Sequence, residues 1–168
     1  TPLPRGFLLT ARMLAGTAVS IVQVYAFLAI AALFGPEVPP EGLLPLLPVL
    51  VLTGLTLSAL GMFFSSWIRQ LENFAGIMNF VIFPMFFMSS ALYPLARMAE
   101  ANALLHWISW LNPFTHAVEL IRHALYQQLD GVALAWVIGA LALFAAGAIY
   151  GYDPARGLIR RRGGPGGE

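Results

Sequence analysis

Three side chains near residue 120 are the first candidates for chemistry. In "NPFTHAVELIRHALYQQ" the spacing of His116, Glu119 and His123 places all three within about 60° of one another on a helix. Two imidazoles and a carboxylate on one face form a conceivable metal-ligand set. The same face also reads as a solvated polar surface held by Glu119–His123 and Glu119–Arg122 helix pairs, and this is the preferred reading. No metal site and no catalytic residue is therefore expected. Elsewhere no nucleophile stands at a spacing that would pair it with a base.

Several other chemistries lack their residue types. The chain has no cysteine, so it has neither a disulfide framework nor a thiolate metal site. It also has no lysine; all nine basic residues are arginines. A phosphate-binding P-loop requires a lysine after its glycines, so this chain cannot hydrolyse ATP by that route. No cofactor and no nucleic-acid partner is expected.

The elements that would position these residues are membrane helices. Of the 168 residues, 59% are hydrophobic and 10% charged, against about 25% charged in a soluble domain. Crossing a bilayer takes roughly 20 apolar residues in a helix. Four stretches qualify: Met13–Phe34, Leu43–Ser66, Phe74–Leu95 and Gly131–Tyr152. None contains Asp, Glu, Lys, Arg or His. Their continuous apolar runs favour helices over alternating strands. The expected fold is all-α, a polytopic bundle of four transmembrane helices plus two short outer helices. The polar groups within the spans are Gln23, Asn79 and several Ser and Thr; Asn79 is expected to hydrogen-bond between helices. With no ionisable group there to bind a coupling ion, pumping would need an external energy source.

Arginine placement orients the spans. Arg5, Arg12, Arg69, Arg156, Arg160, Arg161 and Arg162 fall on one side, and Arg97 and Arg122 on the other with Glu37, Glu41, Glu100, Glu119 and Asp130. Both termini are expected in the cytoplasm. "GPEVPPEG" forms a tight outer turn. The longer outer segment, 96–130, contains two short helices that either dip into the outer leaflet or lie on it. The second starts at Asn112, an N-cap, and Pro113, a first helical residue. Its apolar half is Ala117, Val118, Leu120, Ile121, Ala124 and Leu125; His116, Glu119, Arg122, His123, Tyr126 and Gln127 form the polar half. Within "FVIFPMFFMSSALYPL", Pro84 is expected to kink the third span and Pro94 to mark its outer end. Gly147 and Gly151 form a GxxxG pair suited to close packing, within the chain or between chains.

Three blocks together are specific: "TPLPRGFLLTARMLAG" before the first span, "ENFAGIMNFVIFPMFFMSSALYPL" as the third, and "WLNPFTHAVELIRHALY" after it. In order and spacing they resemble the ABC type-2 exporter permeases, the class of the daunorubicin-resistance and nodulation-factor export permeases. The resemblance covers residues 1–152, with 153–168 a basic, partly disordered cytoplasmic tail. It implies the last four spans of a six-span permease, with two spans expected upstream. It further implies a bacterial inner-membrane location, a second permease chain forming a dimer, surrounding lipid, and a separate ATP-binding subunit that holds ATP-Mg. Pro2, Pro4, Arg5 and Arg12 would then belong to the segment coupling to that ATPase, and 96–127 would cap the exit side, with Asn112, Pro113, Glu119 and Arg122 as landmarks. The implied function is outward transport of an amphipathic or lipid-linked substrate, such as a drug, glycolipid or polysaccharide precursor. A non-transporting assembly or scaffold protein is the alternative.

Overall fold

A computed structural model describes residues 5–35, 39–68, 75–93 and 102–151, together with the single positions 95, 97 and 100. Helices α1 (Arg5–Leu33), α2 (Leu43–Trp67), α3 (Ala75–Phe87), α4 (Ala103–Leu111), α5 (Pro113–Leu125) and α6 (Gly131–Gly151) account for most of them. The described residues contain no strand. The fold is the expected all-α membrane bundle.

Three helices have the length and composition to cross a membrane: α1, α2 and α6. Their 29, 25 and 21 residues give lengths of about 43, 37 and 31 Å, against a hydrocarbon core of about 30 Å. The third expected span differs. Residue 74 lies outside the described residues; α3, described over Ala75–Phe87, ends in a turn at Met88, short of the expected Leu95. Its interior holds a π turn, Met78–Ile82, followed by an α segment, Phe83–Phe87. Pro84 follows closely on that π turn, ten residues into α3, where its missing N–H leaves one carbonyl of the preceding turn without a helical donor. The widened turn before it relieves the ring's clash with the preceding carbonyls.

Small residues set the helix contacts. A Cβ on Gly54 would approach Thr17 of α1 to 2.9 Å, and one on Gly16 would come equally near the Ser58 hydroxyl. On the other face of α2, Gly147 and Gly151 of α6 receive the rings of Phe63 and Trp67. The Trp67 indole N–H donates to the Gly147 carbonyl at 3.2 Å. The GxxxG pair thus packs within the chain. Such close approach is what drives helix association where lipid removes the hydrophobic drive between helices.

The tightest core lies at the end of the bundle opposite these contacts. Here α5 wedges between α2 and α6, and Leu46, Val49, Leu50, Ala117, Leu120, Ala124, Ala133 and Val137 bury one another. The α1–α2 link lies at the same end. The Tyr25 hydroxyl donates to the Leu43 carbonyl at 2.6 Å, and Gln127 donates to Glu41 at 3.1 Å. Gly42 is pressed so closely on the Leu125 carbonyl that no Cβ would fit. Both links expected on one side of the membrane therefore lie together.

Candidate functional site

The helical hairpin α4–α5 turns at Asn112. Two asparagines start its arms: the Asn102 side-chain oxygen accepts from the Leu104 N–H at 2.8 Å, and that of Asn112 from the Phe114 N–H at 3.0 Å. Each satisfies a donor that a helix start leaves free. Asn112 does more. Its side-chain N–H donates to the Met85 carbonyl in the last turn of α3.

That carbonyl belongs to a helix end inside an apolar chain, where an unsatisfied acceptor is costly. The neighbouring acceptors are used by the turn itself. Met88 N–H donates to Pro84 O, and Ser89 donates to Phe86 O through both its backbone N–H and its hydroxyl. Beyond the turn, Arg122 donates through Nη2 to the Ser90 carbonyl at 3.0 Å and through Nη1 to Glu119 at 3.1 Å. Ser90 donates to the Thr115 carbonyl, and the Thr115 and Ser109 hydroxyls pair, both at 3.4 Å. Ser89, Ser90, Ser109, Asn112 and Thr115 are all buried. They form a polar clasp between the end of α3 and the hairpin.

His116 departs from the sequence expectation. Instead of facing water, it is only 4% exposed. Its ring stacks on Trp136 of α6 at 4.9 Å with 6° between planes, and Trp110 meets both rings edge-on. The Nε2–H donates to the Trp110 carbonyl at 2.6 Å. Burial lowers the imidazole pKa below its ordinary value; the Trp110 carbonyl and the charges of Asp130 and Glu119 oppose that shift. The reason is a roll of the helix. Burial on α5 centres on Leu120, with His116 and Ala117 at its edges, an arc of about 100°. His123 turns its Nδ1–H to the Glu119 backbone carbonyl at 2.8 Å, with the Glu119 carboxylate at 3.9 Å. Among the described residues, no group of His, Asp and Glu is arranged to hold a metal.

Apolar grooves flank the hairpin corner. One, of about 370 Å³, lies between Pro84, Met85 and Met88 of the α3 end and Ile108, Leu111, Asn112 and Pro113. The other, about 460 Å³, runs from Leu111 and Pro113 along Ala135, Gly139 and Leu143 of α6.

Four of the residues singled out from sequence thus meet at this corner: Asn112, Pro113, Glu119 and Arg122, with Pro84 beside the first groove. Arg12 and Gln23 are exposed on α1, and Asn79 is exposed in the π turn. Arg5 opens α1; Pro2, Pro4 and Pro94 lie outside the described residues. The buried Ser and Thr groups and the His116–Trp136 stack had no advance signal, since hydroxyl residues are common throughout membrane helices.

Comparison with known proteins bears on this same region. The family model described as ABC-2 type transporter matches residues 1–126, from α1 through α5. The chain belongs to the ABC-2 type transporter family. It is similar to Nodulation protein J of Sinorhizobium fredii (strain NBRC 101917 / NGR234), 31% identical over 150 residues, covering 89% of this chain and 51% of that protein. The protein of the same name from Rhizobium leguminosarum bv. viciae is 30% identical over 154 residues, 91% and 53% of the two chains. That of Bradyrhizobium diazoefficiens is 30% identical over 151 residues, 89% and 51%. The chain spans about half the length of the curated relatives it matches. No solved structure matches it. As an ABC-2 type chain with three long apolar helices, it is a multi-pass protein of the bacterial inner membrane.

Proposed function

We propose that this chain is part of the permease subunit of an ATP-driven exporter, moving an amphipathic or lipid-linked substrate outward. The observation that carries the reading is the ABC-2 type match over residues 1–126, which includes the hairpin folded over one end of the bundle. Residues 1–152 form the permease portion and 153–168 a basic cytoplasmic tail. Both termini lie in the cytoplasm, and the α4–α5 hairpin lies on the outer side as an exit cap. The arginine distribution supports this orientation.

Energy comes from a separate ATP-binding subunit that holds ATP-Mg, a reading that the ABC-2 type match supports. Pro2, Pro4, Arg5 and Arg12 lie in the segment that meets it. Closure of the ATPase pair pushes on the cytoplasmic helix ends, and the helices rock to open a path toward the outside between this chain and a second permease chain. The apolar grooves beside the hairpin corner suit a substrate with an aliphatic part better than a free sugar or ion.

The test is co-isolation and coupling. The permease, expressed with a candidate ATP-binding protein from the same organism, should purify as one complex. Its ATPase activity in lipid should rise when an exported amphiphile is added. Failure of any ATP-binding protein to co-isolate would sink the exporter reading.

A further inference from the structure

We propose that Asn112 is a positioning residue for transport: it makes the outer end of α3 and the α4–α5 hairpin move as one body. The inference rests on the exporter reading for its transport consequence, but not for its geometry. A single side-chain amide serves two elements. Its oxygen caps α5 through Phe114 N–H, and its N–H closes α3 through the Met85 carbonyl. Arg122, set by Glu119, adds a second attachment at the Ser90 carbonyl. Two attachments, one on each side of the turn at Met88, restrain both displacement and rotation of the α3 end relative to α5. The π turn and Pro84 lie immediately before the clasp, so the helix is loosest just below the point where it is held. A tilt of α3 therefore bends at the π turn and carries the hairpin with it.

Asn112→Asp separates the two roles. Aspartate keeps the acceptor for Phe114 N–H and is as good an N-cap. It replaces the donor with a second acceptor facing the Met85 carbonyl, so the Met85 attachment is lost while the cap and the Arg122 attachment are retained. Asn102→Asp is the matched control, because Asn102 is exposed and caps α4 through Leu104 N–H.

Residues 1–168 contain no cysteine, so spin labels can be placed on Phe87→Cys and Tyr126→Cys, two exposed positions beside the clasp. In lipid nanodiscs the parent chain and Asn102→Asp should give one narrow distance distribution, and Asn112→Asp a broadened one. In the complex with its ATPase, Asn112→Asp should lower the substrate exported per ATP hydrolysed severalfold, and Asn102→Asp should leave it at the parent value. A distribution in Asn112→Asp as narrow as in the parent overturns the clasp, and so does equal broadening in Asn102→Asp. Unchanged export per ATP in Asn112→Asp overturns the positioning role. If the parent complex exports nothing, the exporter reading fails, while the distance measurement still decides the clasp.

Discussion

His116 shows what a membrane-edge environment does to a titratable side chain. Counted as polar, it belongs on the wet face of α5; packed between Trp110 and Trp136, it is buried and neutral. Protonation then has to occur either in an apolar stack or after the stack opens. Because the folded pKa lies below the ordinary value of 6.5, the unfolded hairpin binds more protons in the interval between the two. Stability is therefore full above about 6.5 and falls as pH drops through that interval. Glu119 and Asp130, the acidic groups near the ring, narrow the interval without reversing it. Tryptophan fluorescence should report melting at a lower temperature at pH 5.5 than at pH 7.5. His116→Phe keeps a ring against Trp136 and removes the titration, so its difference between the two pH values should shrink. An undiminished difference would show that His116 is not its source. The 3.6-residue period located the helix and its caps, but a roll about its axis depends on which neighbours it meets, and a single sequence does not contain that. Thr115 was invisible for the same reason: it is buried by the corner at Asn112, not by the face it shares with other residues.

The helices differ in how directly their sequences specify them. In lipid, a spanning segment must satisfy its own backbone, so length and apolar content were enough to locate α1, α2 and α6 to within a few residues, apart from α1's extension to Arg5. For α3 they were not: its helix stops at Phe87 in a turn through Met88, Ser89 and Ser90, and the clasp takes over carbonyls around that turn. The glycines of α6 separate helix formation from packing. Gly147 holds Phe63, whose ring would be 2.5 Å from an added Cβ and is enclosed by Phe64, Trp67 and Phe144. Gly139, two turns earlier, has nothing within 4 Å of the same position. Gly147→Ala should cost about 1–3 kcal/mol by overpacking, whereas Gly139→Ala should be close to neutral. Thermal unfolding of the two variants in the same detergent checks this. Because alanine is the better helix former, propensity alone would stabilise both variants; equal losses would mean that the α2–α6 contact does not set the cost. The GxxxG pattern predicted close packing, but the partner became identifiable only when Phe63 and Trp67 were placed opposite it.

Across the molecule, sidedness follows from which links share an end. Glu41 in the α1–α2 link and Gln127 after α5 are 86 residues apart in sequence and joined by a hydrogen bond at 3.1 Å. Any orientation that exports one exports the other. Arg12 is exposed near the start of α1, close to two turns in, toward the opposite end of the bundle. The proposed orientation puts that end in the cytoplasm, since the sequence pattern assigns seven of the nine arginines to that side. Single cysteines can test this, since residues 1–168 contain none and any elsewhere in the expressed protein can be replaced first. In intact cells a membrane-impermeant maleimide should label Glu41→Cys and Gln127→Cys and leave Arg12→Cys unlabelled until the membrane is opened. Labelling of Arg12→Cys alone would invert the topology and place the hairpin on the ATPase side. Labelling of Glu41→Cys without Gln127→Cys would instead separate two links that the bundle joins. The exit-cap role depends on the first outcome, since a hairpin can close an outward path only from outside.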